Sequence, residues 1–502
     1  MNRPILLFSL LFVSSILPLA AEVQLAEIFA DNMILQRGKP VPVWGWAAPG
    51  ESVQVSFADQ HLSATADGEG AWKITLHPMP ANDKPQALTV TGINTLTVNN
   101  VLVGDVWLCA GQSNMQAWVV GADTSGLVDS ADIPTLRVFL VDVTSTDKPR
   151  QKFLQGAPGG MNEPQRDKMT QYGLKWTPST KTAAPWFSAV TYSFGRALQK
   201  ETGVPIGLIT DSLGGTVAQA WTPRNALESN PALGAYLNDF HGAPTDARAP
   251  GSLYNGSVAP LAPFALKGII WYQGESNADS FEDAARYRTL FPAMISAWRK
   301  SWGENLPFLF VQLPAFGPIL PDPSDAPWAW LRESQLLTLQ RTAGTGMAVV
   351  IDTGSTTNLH PPTKLTIGSR LAQTALALVY QKPGEPSCPI YQKMRVQGDK
   401  IEVRFSHVGS GLTSKEVSCD DGKNHVPDDP LRGFAICGAD QKFVWAAAKI
   451  TGKDTISVSS PLVPSPVAVR YAWAAFPACN LYSVEGLPAS PFRTDDYKPP
   501  HP

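Results

Sequence analysis

The sequence predicts an α/β core set between two β-rich stretches, and three observations carry that expectation. From about residue 104 to 382, apolar runs of strand length alternate with segments of helical period, the pattern of a parallel sheet covered by helices. On either side, short alternating strands are punctuated by Gly, Pro and Asp turns with no helical pattern between them. The chain has 502 residues, 44% apolar and 17% charged, an ordinary globular composition with length for about three units.

Residues 1–22 read as an export leader. Asn2 and Arg3 precede an apolar run over 5–17, and the small Ala20 and Ala21 follow it. The run falls short of the roughly 20 residues that span a bilayer. No later apolar segment is longer, so the mature chain is expected outside the cytoplasm (periplasmic or secreted) with no membrane span. Residues 23–103 read as a β-sandwich-like domain, with strands over 41–46, 52–57 and 71–76.

In the central domain, 104–382, strands are expected over 105–110, 205–210, 265–271, 307–313 and 347–352. Helices are expected over 187–200, over 281–302 and after Thr363. The second carries Tyr287, Leu290, Phe291, Met294 and Trp298 on one face despite Pro292, and the third Leu371, Ala375 and Leu378. Two Pro/Gly/Asp-containing stretches, 142–183 and 228–257, read as surface excursions. Residues 383–502 read as a β-rich region, with strands over 393–405, 455–458 and 468–473 and an extended tail after Arg493.

A net charge of −3 removes the electrostatic case for a nucleic-acid partner. The seven histidines and five cysteines form no CxxC or HExxH cluster, so no metal site or cofactor is expected. Export permits disulfides, with Cys419–Cys437 and Cys388–Cys479 as candidate pairs. Cys109, on an apolar strand, reads as a buried inert thiol.

Three segments at or after strand ends carry chemistry, where ligands gather on an open α/β sheet. An apolar strand over 106–110 runs into Gly111, Gln112 and Ser113; the serine is either a nucleophile or the cap of the next helix. A second strand empties into Gln273, Gly274, Glu275, Ser276 and Asn277, where Asn277 is either an oxyanion donor or another cap. A third is followed by Asp352, Asn358 and His360, and the histidine before a helix is a candidate general base. Glu275 reads as a loop-holding residue more readily than as a ligand for substrate hydroxyls, because its charge opposes a developing oxyanion. Trp271, Tyr272 and Trp118 read as core before they read as stacking platforms for a ligand.

The blocks GQSNM at 111–115, SLGGT at 212–216, WYQGESN at 271–277 and HP at 360–361 resemble those of the SGNH hydrolase superfamily. More narrowly, they resemble the sialate O-acetylesterase family of carbohydrate esterases. PIGLI at 205–209, LYNGSVAPL at 253–261 and CNLY…GLPASPFRT at 479–494 extend the resemblance over nearly all of the mature chain. It implies a flavodoxin-like three-layer α/β/α hydrolase domain with flanking β-rich domains, and metal-independent removal of acetyl esters from a sugar. It implies Ser113 as nucleophile and His360 as base. The oxyanion donors implied are the Ser113 amide, Gly214 or Gly215, and Asn277. The family usually has an aspartate two residues before the histidine, whereas this chain has Asn358. Either Asn358 orients the imidazole as a neutral acceptor, or Asp352 supplies the carboxylate.

The expected function is therefore an exported serine esterase acting on an O-acetylated sugar, with sialate first and acetylxylan or another polysaccharide as competitor. A different class, a carbohydrate-binding protein with a lapsed catalytic centre, is motivated by Asn358 and by the aromatic-rich β regions.

Overall fold

The computed structural model describes residues 22–123, 126–154, 163–419 and 424–500. The expected leader lies outside these residues, apart from Glu22. The molecule is mixed α/β. Its central sheet is built from β1 (Thr95–Gly111), β2 (Ile133–Leu140), β3 (Trp176–Ser179), β4 (Ile206–Ser212), β5 (Gly268–Tyr272), β6 (Phe308–Gln312) and β7 (Thr345–Val349). Their spatial order is β3-β2-β4-β1-β5-β6-β7. All neighbouring pairs are parallel except β3 with β2. Parallel strands buried on both faces read as continuous apolar runs, as β4, β5 and β6 do.

Four long helices accompany the sheet: α1 (Ala189–Thr202), α2 (Phe281–Trp302), α3 (Pro327–Arg341) and α4 (Lys364–Leu378). Local chemistry sets their ends. Ser188 Oγ accepts the Thr191 N–H at 3.2 Å to start α1, and Gly203, at φ +70°, ends it. Ser280 Oγ accepts the Asp283 N–H at 3.1 Å to start α2, whose first turn is acidic and last turn basic. On β1, Trp107 packs edge-on against Phe194 of α1, with ring centroids 5.1 Å apart. On β5, Trp271 packs against Phe291 and Trp298 of α2.

The expected strands and helices of the central region form within a few residues of their sequence limits. Besides β3 and the helix Glu163–Tyr172, which fall inside the expected excursion over 142–183, two elements of the sheet and its long helices were not expected. One is β2, whose Arg137 is buried and gives its guanidinium to the carbonyls of Asn32 and Asn100. The other is α3, whose inner face buries Arg332, Ser334, Gln335 and Thr338 and so shows little apolar period.

The expected boundary at 103/104 falls inside the continuous strand β1. The first half of β1 pairs with Asn82–Thr91 and Ile34–Gln36, and its second half forms the middle of the parallel sheet. The two expected surface excursions are partly interior. Residues 253–258 are buried, and this segment is stitched to the other excursion through Asn255 Nδ2 to the Thr146 carbonyl at 3.2 Å and the Arg150 N–H to the Asn255 carbonyl at 2.9 Å. Each loop satisfies backbone groups of the other, which lets both leave the surface.

Beyond α4 the chain forms small antiparallel sheets. One joins Phe434–Cys437, Val444–Trp445, Ala468–Tyr471 and Phe492–Arg493. Neither candidate disulfide forms, since Cys388, Cys437 and Cys479 are free thiols, as is Cys109. Burial pushes Cys388 and Cys479 up to about 12, so both stay protonated and inert.

Candidate active site

The sheet's central strand delivers Ser113. β1 lies between β4 and β5, so its carboxyl end sits where the connections diverge to the two sides. Gly111 makes the exit possible. Its φ is +153°, and a Cβ there would lie 2.1 Å from the Tyr272 carbonyl oxygen. The Gln112 N–H then donates to that carbonyl at 3.0 Å, and a single helical turn, Ser113–Gln116, follows.

His360 arrives from the loop after β7, its Nε2 2.8 Å from Ser113 Oγ. Among the described residues this is the ring's one hydrogen-bond partner. The loop is shaped by side chains folding onto its own backbone: Ser355 Oγ accepts the N–H groups of Thr357 and Asn358, and Asn358 Oδ1 accepts the His360 N–H at 2.9 Å. Asn358 thus holds the backbone of His360 rather than its ring. Asp352 does not reach the imidazole either. Arg370 grips it at 2.6 and 2.7 Å, and the Tyr482 hydroxyl donates to it at 2.9 Å. Burial works against ionisation there, but the Arg370 contacts outweigh it and hold the carboxylate below its usual range.

Gly214, on the loop after β4, comes against the serine: a Cβ there would lie 3.2 Å from Ser113 Cβ. Its N–H donates to Gln116 Oε1 at 3.0 Å. Gly215, at φ +72°, instead offers its carbonyl to Arg248 at 3.3 Å. Asn277 departs from expectation. It is 1% exposed, its Oδ1 accepts from the Ala218 N–H and from Gln273 Nε2, and its Nδ2 donates to Gln219 Oε1. The amide braces the loop after β4 against β5, with its oxygen accepting twice and one Nδ2 hydrogen committed to Gln219.

A buried polar chain lies beneath the pair. Lys364, at the start of α4, donates to Asn114 Oδ1 at 2.5 Å and to the Pro361 carbonyl at 2.7 Å. Asn114 Nδ2 donates to Glu275 Oε1 at 2.6 Å and to the Leu359 carbonyl at 3.1 Å. Burial lowers Lys364 to about 8, with Glu275 opposing the shift, and burial raises Glu275, with the Asn114 bond opposing. His360 is lowered by burial first and by the Lys364 charge second, which keeps its imidazole neutral and able to accept a proton.

Ser113 and His360 open onto a cavity of about 520 Å3, walled also by Glu275, Asp279, Phe316 and Trp328. The last two rings pack 5.2 Å apart. Trp271 and Tyr272 are core residues, and Trp118 pairs with Trp186 away from this cavity. Sequence reasoning missed Gln116, Lys364, Asp279, Phe316 and Trp328. Only Lys364, a cation heading a largely apolar helix beside HP, left a readable signal. Among the described residues no group of His, Cys, Asp and Glu is arranged to hold a metal ion.

A serine hydroxyl bonded to a neutral imidazole at the carboxyl edge of a mostly parallel sheet is the apparatus of a hydrolase acting on carboxylic esters. Residues 103–377 match the model of the carbohydrate esterase, sialic acid-specific acetylesterase family, and the chain belongs to that family. It is 28% identical to the sialate O-acetylesterases of Mus musculus and Homo sapiens, over 92% and 93% of this chain and 93% and 91% of theirs. A crystal structure of a carbohydrate acetylesterase from Xanthomonas citri superposes with a TM-score of 0.81 at 37% identity. That match covers 95% of this chain and all of the other. The chain is a carboxylic ester hydrolase of the carbohydrate acetylesterase type.

Proposed function

We propose that this protein is an exported serine esterase that removes O-acetyl groups from a sugar through an acetyl-enzyme on Ser113. The observation that carries the proposal is the 2.8 Å bond between Ser113 Oγ and His360 Nε2. Ser113 Oγ attacks the acetyl carbonyl carbon as its proton passes to Nε2. The oxyanion is received by the N–H groups of Ser113 and Gly214. The bond now made by Gln116 Oε1 to the Gly214 N–H is a neutral stand-in for that oxyanion and gives way to it. The C–O bond to the sugar breaks, and the alcohol leaves with the proton from His360. Water, deprotonated by His360, then attacks the acetyl carbon, releasing acetate and restoring Ser113.

In this reading the pair works as a dyad, with the imidazole placed by the backbone bond to Asn358 rather than by a carboxylate. Export is supported by the leader pattern over 1–22, and no helix of the described residues is long and apolar enough to cross a membrane. We infer a three-layer α/β/α core. Trp271 pairs in register with Ala110, an odd number of residues from Trp107, so α2 and α1 cover opposite faces of the sheet. The flanking β regions then begin at about 23 and 383.

Sialate is the first substrate reading, supported by the mouse and human relatives, and exposed Arg248, next in sequence to Ala247 of the cavity wall and bonded to the Gly215 carbonyl, is the cation that would meet its carboxylate. A neutral acetylated glycan is the second, favoured by the carboxylates of Glu275 and Asp279 in the cavity wall. Acetate release from acetylated sialic acid and acetylated xylan, with Ser113→Ala as control, tests both. Release from one substrate that disappears in Ser113→Ala supports the mechanism and selects the glycan. Release that survives in Ser113→Ala refutes the acetyl-enzyme.

A further inference from the structure

A second cavity, of about 300 Å3, lies between the sheet that contains Val444–Trp445 and the segment 323–325 that leads into α3. Its size is at the lower end of small-molecule sites, ~300–1,000 Å3. Phe443, Trp445, Trp473 and Tyr497 supply aromatic wall, and Ser324, Asp325 and Gln441 supply polar groups. Trp445 is 41% exposed for a reason the core does not explain. Its Nε1 donates to the Pro321 carbonyl at 2.6 Å, which fixes the indole while leaving part of its surface open. Ser324 Oγ is buried and has no hydrogen-bond partner among the described residues.

The charge in this cavity is already committed. Arg470 bonds Asp495 at 2.8 and 3.0 Å and Asp325 at 3.3 Å, and its guanidinium lies 4.1 Å from the centre of the Phe443 ring. Asp495 is also held by Arg493 at 3.0 Å, and Arg493 is itself paired with Glu333, so no spare cation is left for an anionic ligand. An aromatic surface beside the exposed Gln441 amide suits a ring with apolar C–H faces and equatorial hydroxyls.

The cavity is also tied to the esterase site. Phe316 and Trp328 wall the Ser113 cavity, and residues 323–325 between them line the second one. The segment is fastened at its base by the Phe316 N–H to the Ala475 carbonyl at 3.1 Å. Buried Arg332 adds to this by holding the carbonyls of Ala474 and Ala475, both at 2.8 Å.

We propose that this second cavity binds a neutral pyranose unit of the glycan whose acetyl groups the Ser113 site removes, stacking it on Trp445. The proposal rests on the carbohydrate-esterase reading and extends it from a small acetylated sugar to a longer glycan held at two places.

The test uses the full chain carrying Ser113→Ala and deacetylated probes: xylohexaose, cellohexaose, mannohexaose and 3′-sialyllactose, titrated calorimetrically. At least one neutral hexaose is expected to bind, and Trp445→Ala is expected to weaken it about tenfold, the equivalent of ~1.4 kcal/mol for one aromatic contact. Gln441→Ala, an exposed change that threatens the fold less, is expected to weaken it about threefold. In the chain with Ser113 intact, Trp445→Ala is expected to leave p-nitrophenyl acetate turnover unchanged. Absence of binding by every neutral hexaose, or binding indifferent to both substitutions, overturns the proposal. So does a preference for sialyllactose that Trp445→Ala removes. Failure of the esterase reading itself registers separately, as p-nitrophenyl acetate turnover that does not depend on Ser113.

Discussion

His360 Nε2 and Ser113 Oγ meet at 2.8 Å although 247 residues separate them in sequence. The sheet order accounts for the meeting. β1 ends at the centre, β7 ends at the edge two strands beyond β5, and the self-bonded loop after β7 carries the imidazole back across β5 and β6. Ser113→Ala removes the nucleophile while leaving the backbone N–H groups in place. The expected result is loss of at least ~10^3-fold in kcat for acetate release, with an unchanged circular dichroism spectrum. A loss below tenfold would mean that another group attacks the ester.

Asn277 separates a bracing role from a catalytic one. Asn277→Ala strands the buried Ala218 N–H and takes one of two acceptors from Gln273 Nε2, which keeps the Thr216 carbonyl, and the donor from half-buried Gln219. Each unsatisfied group costs about 1–3 kcal/mol, so a large drop in the denaturation midpoint is expected. An oxyanion donor instead predicts a fall of ~10²- to 10³-fold in kcat at little cost to stability. Measuring kcat per folded molecule beside the urea midpoint decides between them, and the structure favours the stability outcome.

Asn358→Asp preserves the oxygen that caps the His360 N–H and adds a negative charge near the ring. That charge favours imidazolium, so the acid limb of kcat/KM is expected to move to higher pH. Above the limb, at pH 8, the rate is expected to stay within about threefold of wild type, because the new carboxylate lies on the backbone side of the histidine. A gain of tenfold or more at pH 8 would show that a missing carboxylate limits the enzyme.

Much of this site was legible because parallel strands announce themselves as apolar runs and their ends deliver Ser113, Gly214 and His360. The roles of Asn358, Asp352 and Asn277 were not legible. Each is a short polar side chain beside a functional residue, and sequence spacing does not say whether it bonds a ring, a backbone N–H or a neighbouring loop. Helix α3 escaped for a related reason: Arg332, Ser334, Gln335 and Thr338 interrupt the apolar stripe on its buried face, so hydrophobic period gives little sign of it. Phe316 reaches the cavity from a Pro/Gly-rich loop, where no periodicity assigns a direction, and Trp328 reaches it from the first turn of α3.

Lys364 offers a test of the buried chain under the dyad. Its charge helps to lower His360, so Lys364→Met is expected to raise the histidine and move the acid limb of kcat/KM upward. Lys364→Arg keeps the charge and is expected to leave the limb near its wild-type position. Burial already lowers Lys364 to about 8, so wild type carries this charge throughout the acid limb. The Met variant is also expected to lose stability, since Asn114 Oδ1 and the Pro361 carbonyl lose their donor. A limb unmoved in the Met variant would remove the lysine from the pH control of the base.

Asp211, near the end of β4, gives the stability of the fold a pH dependence of its own. Its carboxylate is fully buried, and no described hydrogen bond reaches either oxygen, since the Ser257 hydroxyl donates to the Leu253 carbonyl at 2.9 Å. Burial pushes its pKa up to about 7. An unfolded aspartate titrates near ~3.9, so between about pH 4 and 7 the folded state holds the extra proton. Stability then falls as pH rises across that window, because the unfolded chain releases a proton that the folded chain keeps. Asp211→Asn removes the ionisation while preserving the shape. Its stability relative to wild type is expected to increase steadily from about pH 4 to 7 and to level off above it. Urea midpoints measured for both proteins across pH 4 to 8 give this difference directly. A difference that does not change with pH would mean that Asp211 is ionised in the folded protein and paired with a group supplied by solvent.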